Sequence, residues 1–343
     1  MFKGCYTALV TPMLKNHEVD FSGLERLVEF QISQGVNGIL AAGTTGESAT
    51  LNPEEQRAVI EKVHECCGDK VTVIAGTGSN CTKKAMENTK YAYDIGVRAA
   101  LLVDPYYNGP SSLEIRLEYI APIAERFPEM QIIPYVIPSR TGTQLLPQDL
   151  AILHKQYPNV NAVKEATGDL ENMRLTRRLC GENFDILSGD DDKTYTIMAD
   201  PLIRASGVIS VISNITPAAV QKMTSLILEG KLKEAEELCG KLKPLFEIVT
   251  VKTVEDTSFG TYLVKARNPL PCKTLMNILG MPAGSLRPPL GKMTKKGLEK
   301  VLDAARRVYE NSPEILKPVE DFFDVNLQDR LYNEKFWKDL SYG

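Results

Sequence analysis

The chain has little that could hold a metal ion. Its 343 residues include three histidines, at positions 17, 64 and 154, far apart and without an HExxH spacing. No metal site is expected. Seven cysteines (5, 66, 67, 81, 180, 239 and 272) are scattered, odd in number and free of any CxxC pair. Reduced thiols in a cytoplasmic protein fit that pattern better than a disulfide framework. No apolar stretch is long enough to cross a bilayer, so no membrane association is expected. The opening Met1-Phe2-Lys3-Gly4-Cys5-Tyr6 lacks a charged region followed by a long apolar run, so a signal peptide is not expected. An excess of positive charge is missing too. The formal net charge is -4 and no basic stripe is interleaved with aromatics, which argues against nucleic acid as a partner. Solenoid repeats and low-complexity tracts are absent.

What is present is an ordinary globular composition, 43% apolar and 24% charged. Short apolar runs alternate with helical patterns. The runs are Thr7–Val10, Gly38–Ala42, Val71–Ala75, Ala99–Val103, Gln131–Tyr135, Val160–Lys164, Phe184–Leu187 and Gly207–Ser210. Near-continuous runs of this kind mark parallel strands buried on both faces. Between them, Ser22-Gly23-Leu24-Glu25, Asn52-Pro53-Glu54-Glu55 and Ser111-Ser112-Leu113-Glu114 read as capping boxes, and Thr216-Pro217 opens a further helix. Eight strand–helix units, none with GxGxxG after its strand, favour a (β/α)8 TIM barrel over an open doubly wound sheet. Residues 1–230 are expected to form this α/β barrel. Beyond them no strand run is apparent, so residues 231–312 read as a helical appendage, with Pro244 bending or ending its first helix. Residues 313–343 carry Phe322, Phe323, Tyr332, Phe336 and Trp337, a density of aromatics that suggests a docked extension.

Barrel chemistry lies at the C-terminal ends of the strands. The second run ends in Gly43-Thr44-Thr45-Gly46-Glu47-Ser48, where glycines let backbone N–H groups approach an anion, though an ordinary tight turn reads equally well. No GK[ST] follows, so it is not a P-loop. The fourth run leads into Asp104-Pro105-Tyr106-Tyr107-Asn108, and the fifth ends at Tyr135. Such tyrosines are most often packing residues. Arg140, beside Ser139 and Thr141, could grip a carboxylate bidentately or make a surface ion pair. The sixth run ends at Lys164, with period 2 placing Val160, Ala162 and Lys164 on one face. A lysine aimed into a barrel would be desolvated, which favours the neutral amine that attacks ketones, unless it snorkels to the mouth.

Six motifs occur in order: GTTGES at 43–48, PYYN at 105–108, IPSRTG at 137–142, VKEATGD at 163–169, LSGDD at 187–191 and GVISV at 207–211. Together the chain resembles the dihydrodipicolinate synthase and N-acetylneuraminate lyase superfamily of class I aldolases, and SRTG with KEATG resembles its synthase branch. The resemblance implies condensation of pyruvate with L-aspartate 4-semialdehyde to 4-hydroxy-tetrahydrodipicolinate, on the route to diaminopimelate and lysine. It implies an imine between Lys164 and pyruvate and no other cofactor. Tyr135 would shuttle protons, relayed by Thr44 to a Tyr107 supplied by a neighbouring subunit. Thr44 and Thr45 would hold the pyruvate carboxylate through backbone groups, Arg140 the carboxylate of the semialdehyde, and Gly189 and Ile209 would line the site. A homotetramer, a dimer of dimers, is implied.

The chain departs from that pattern. Val136 replaces a usual Asn, and Asp104 a usual Thr, which would put a charge near the tyrosines. About fourteen extra residues lie near Val249–Lys265 and about thirty follow Tyr309. Lysine-inhibited relatives use side chains near Pro53, Gln56 and Lys84; the cationic Lys83-Lys84 here implies weak inhibition by lysine. Two other readings remain: an aldolase of 2-keto-3-deoxy sugar acids or sialic acid using the same Lys164, and a non-catalytic binding or regulatory barrel.

Overall fold

The computed structural model describes residues 2–342. Eight parallel strands close on themselves in chain order: β1 Gly4–Ala8, β2 Gly38–Ala41, β3 Thr72–Gly76, β4 Ala99–Val103, β5 Gln131–Val136, β6 Ala162–Glu165, β7 Asp185–Ser188 and β8 Gly207–Ser210. Pairing of β8 with β1, Tyr6 opposite Ile209, completes the barrel. The first strand starts earlier than its apolar run, at Gly4-Cys5-Tyr6. Each strand is followed by helical structure, including α1 Phe21–Ser33, α2 Pro53–Cys67 and α3 Thr82–Asp94. Asn52 and Ser111 make the capping boxes read from the sequence. The cap of α1 differs: Asp20, not Ser22, accepts from Gly23 N at 2.9 Å. Asp20 stands at the extended residue before the helix, where an N-cap must lie.

Strand alternation divides the core in two. One set of side chains fills the barrel interior, among them Tyr6, Leu40, Ile74, Leu101, Ile133, Tyr135, Ala162, Leu187 and Ile209. The other set packs between strands and helices, among them Val73, Ala100, Ile132, Val136, Val163 and Ile186. Ala162 thus points inward and Val163 outward, which aims Lys164 inward. Val160 does not share that face; it precedes β6, in a turn where its N–H donates to Tyr157 O, and packs outside.

The region after 230 is not purely helical. Helix α4 Leu232–Phe246, with Pro244 inside its last turn, leads to an antiparallel hairpin, β9 Thr250–Thr257 and β10 Gly260–Arg267. These are the extra residues noted above. One face of the hairpin turns inward, with Val251, Thr253 and Ala266 buried, and the other is exposed. Strands of this kind alternate instead of forming a continuous run, so they escape a search for buried parallel strands. Helices α5 Leu270–Leu279 and α6 Lys295–Asn311 follow. The tail then docks on its own barrel, with the Phe322 and Phe323 rings 5.2 and 5.1 Å from that of Phe30 in α1.

Candidate active site

Lys164 sits on β6 between Tyr135 of β5 and Leu187 of β7, and is 4% exposed. Among the described residues nothing hydrogen-bonds or pairs with its Nζ, which lies 4.3 Å from the centre of the Tyr135 ring. Burial lowers its pKa to about 8, against the opposing pull of the Asp190 and Asp191 carboxylates. Room for the side chain comes from Gly189. A Cβ there would stand 2.7 Å from Ala166 Cβ and 3.2 Å from Lys164 Cε. Asp191 is itself occupied, accepting from Ser210 Oγ, from Val211 N at 2.9 Å and from Ile212 N at 3.3 Å. It fixes the turn after β8 and so the end of the strand that carries Ile209.

Tyr135 is 5% exposed, and burial pushes its phenol above its ordinary range. The Arg140 charge and a hydrogen bond with Thr44 work the other way. Thr44 and Thr45 occupy a loop bounded by two left-handed residues, Ala42 at φ 52° and Glu47 at φ 57°. The backbone N–H groups of Thr44 and Thr45 have no acceptor among the described residues. An unfilled pair of donors beside a buried amine suits a small carboxylate.

The loop is held from behind by the C-terminal region. Asn268 Nδ2 donates to Thr45 Oγ1 at 2.9 Å. Lys273 Nζ, on α5, donates to Glu47 Oε1 at 2.6 Å, to Thr11 O at 3.0 Å and to Ser285 O at 2.8 Å. Arg287 N donates to the other Glu47 oxygen at 2.9 Å. Both side chains of the Lys273–Glu47 pair are fully buried. The sequence reading missed Asn268, Lys273 and the role of Glu47. The one available signal was a lone lysine in the otherwise apolar Leu270-Pro271-Cys272-Lys273-Thr274-Leu275-Met276.

Arg140 lies on the short helical turn Pro138–Thr141, exposed at the mouth, where its Nη2 donates to Asn268 O at 2.9 Å. Arg267 steadies the same turn, donating from Nη1 to Ser139 O at 3.2 Å. Tyr107 is not brought to Tyr135 within the chain. It is 91% exposed and takes φ 84°, a conformation that costs a non-glycine residue ~1–3 kcal/mol.

Asp104 does not charge the site as its sequence position suggested. Its carboxyl lies on the outer side of the strand, fully buried, with Oδ2 accepting from Leu145 N at 2.9 Å and Oδ1 unpartnered. Burial, and secondarily the Glu165 charge, raise its pKa to about 8, so it is mostly neutral at pH 7. Glu165, next to Lys164 but facing outward, is raised by burial to about 7 and accepts from Thr167 N and Asn172 Nδ2. Val136 is buried between strands and helices, on the side of β5 away from the barrel interior.

A deeply placed, unpartnered amine beside a tyrosine and two free backbone donors can form an imine with a small keto acid and move protons around it. Among the described residues no group of three or more His, Cys, Asp and Glu side chains could hold a metal ion, and no helix is long and apolar enough to cross a membrane. The family model of the dihydrodipicolinate synthetase family matches residues 1–307. A 4-hydroxy-tetrahydrodipicolinate synthase from Methanocaldococcus jannaschii is 42% identical over 305 residues, covering 88% of this chain and 98% of that one. The structure of the 4-hydroxy-tetrahydrodipicolinate synthase from Methylacidiphilum fumariolicum SolV is similar with a TM-score of 0.83 at 35% identity, covering 94% of this chain and 99% of that one. A monomeric dihydrodipicolinate synthase variant matches with a TM-score of 0.81 at 33% identity, covering 90% and 97%.

Proposed function

The chain belongs to the dihydrodipicolinate synthetase family, and from that premise we propose that it condenses pyruvate with L-aspartate 4-semialdehyde to give 4-hydroxy-tetrahydrodipicolinate, on the way to diaminopimelate and lysine. The observation that carries the reading is the Lys164 amine, buried, without a protein partner and depressed to about 8.

The neutral amine adds to the ketone carbon of pyruvate, and loss of water leaves the imine. The free N–H groups of Thr44 and Thr45 hold the carboxylate of pyruvate, with Gly189 and Ile209 forming the walls. The imine acidifies the methyl group, and Tyr135 carries the proton away, passing it through Thr44. The resulting enamine carbon attacks the aldehyde carbon of the second substrate, whose carboxylate is held by Arg140 at the mouth. The amine of that substrate then displaces Lys164 as the ring closes. Tyr107, exposed in its own chain at φ 84°, completes the proton path in a neighbouring subunit, and the assembly in this reading is a homotetramer. No metal or further cofactor enters the scheme, and the cytoplasm is its setting.

The test has two parts. Pyruvate and borohydride followed by peptide mass spectrometry should leave a lasting adduct on Lys164. A coupled assay with pyruvate and aspartate semialdehyde, beside a panel of sugar acids, should favour the semialdehyde. Absence of the adduct overturns the imine. A preference for a sugar acid overturns the substrate and leaves the imine intact.

A further inference from the structure

The two edges of the hairpin are treated differently. The ladder has hydrogen-bonded pairs continuing from Asn268 N to Val249 O, so the backbone groups of Lys252 and Val254 on β9, and of Thr261, Leu263 and Lys265 on β10, point away from the partner strand. On β9 these outward carbonyls are covered. Lys296 Nζ of α6 donates to Val254 O at 2.7 Å and Lys300 Nζ to Lys252 O at 2.8 Å. On β10 the outward groups of Thr261, Leu263 and Lys265 have no partner among the described residues. An open edge of this kind is a template for another strand. Exposed apolar side chains lie beside it: Leu263 and Val254, cross-strand neighbours, are each 54% exposed, and Phe259 at the tip is fully exposed.

We propose that the free edge of β10 pairs antiparallel with β10 of a second copy of this chain, about a two-fold axis at Leu263, making a four-stranded sheet across two subunits. The sequence of the strand selects this occupant and this register. Thr261, Leu263, Lys265 and Arg267 present outward donors and acceptors, so a hydrogen-bonded pair on the axis takes one of these four, and an axis at Arg267 sets two guanidinium groups face to face. An axis at Lys265 sets two ammonium groups face to face, which opposes pairing. An axis at Leu263 sets Lys265 opposite the short Thr261 of the other copy and so keeps the ammonium groups apart. The same axis aligns Val254, Leu263, Leu263 and Val254 into one unbroken apolar row. The arrangement reaches the catalytic centre directly, because Arg267 and Asn268, which follow the edge, hold Ser139, Arg140 and Thr45.

A cysteine scan tests the pairing in the full chain. Hydrogen-bonded antiparallel partners have Cα atoms about 5.5 Å apart, within disulfide reach. Val254 and its symmetry mate would be three strand spacings apart, roughly 14 Å, out of reach. Mild oxidation of Leu263→Cys should give a homodimer linked at position 263, identified by peptide mapping, while the equally exposed Val254→Cys should stay unlinked. No link from L263C, or equal linking from both, overturns the proposal. A strand of another protein at this edge would also leave the purified L263C chain unlinked. Leu263→Pro removes an outward N–H without touching the β9–β10 ladder. Sedimentation velocity should show this variant at half the mass of the unaltered chain. An unchanged mass, or an unaltered chain that is already monomeric, overturns the pairing.

Discussion

Two lysines are buried in this protein and they do opposite things. Lys273 has three donors on its ammonium and three acceptors around it, one of them the Glu47 carboxylate. Lys164 has none, only the face of the Tyr135 ring 4.3 Å away and carboxylates near enough to act through space. A buried charge with all its donors satisfied is held in place and inert. A buried amine with no acceptor gives up its proton readily and is free to attack. Burial alone therefore does not make a lysine a nucleophile; the absence of partners does.

Exchanging the roles should break the comparison most visibly at Lys164. Lys164→Ala should lower turnover by about 10³-fold or more and abolish borohydride trapping, with folding intact by circular dichroism. Turnover within tenfold of the unaltered chain would place the nucleophile elsewhere. At the other lysine the loss should fall on stability. Lys273→Met strands the Glu47 carboxylate in the interior and should cost about 3–5 kcal/mol in urea unfolding. Removing both charges with Glu47→Met and Lys273→Met together should recover a large part of that, and a double-mutant sum that is simply additive would contradict the pairing.

Titration sharpens the contrast. Below the Lys164 pKa of about 8, the rate of single-turnover imine formation should drop roughly tenfold per pH unit, and level off above it. Because the folded pKa lies below that of a lysine in the unfolded chain, the same group raises stability as pH climbs from about 8 toward the ordinary lysine range of about 10.4. Asp104 has the reverse sign. Its carboxyl is raised to about 8, so the folded state holds a proton that the unfolded chain has released, and stability falls as pH rises toward that value. Asp104→Asn keeps an acceptor for Leu145 N without the charge, and its urea midpoint should gain on that of the unaltered chain as pH increases. A gap that is flat with pH would show that Asp104 does not titrate there. The smallest effect expected is none: free lysine well below millimolar should leave the rate unchanged if the cationic Lys83-Lys84 pair repels its amine.

Legibility followed distance along the chain. The inward aim of Lys164 was readable because strand period makes it share a face with Ala162, although the same period also put Val160 there wrongly; Tyr135 took its role from the family motifs. Asn52 and Ser111 were readable as caps because a capping box is closed within four residues. The cap of α1 was misplaced by two residues, since Asp20 and Ser22 are both able acceptors and only the backbone angle chooses. The hairpin was missed because its strands alternate in burial, β9 packing on α6 and β10 on α5, while every other strand is buried on both sides. Asp104 was misread because nothing in Val103-Asp104-Pro105 says which side of the strand the carboxyl takes.

By itself, the sequence determined the eight buried strands, the loop chemistry at their ends and the inward aim of Lys164, all of which depend on neighbours within a few residues. Only the tertiary structure decided which buried lysine stays reactive. The partners that quiet Lys273 come from positions as far apart as Thr11, Glu47 and Ser285, and the emptiness around Lys164 is a property of the closed barrel. Hydrogen-bond satisfaction is settled by what the fold brings within about 3 Å, and that is not written in any one segment.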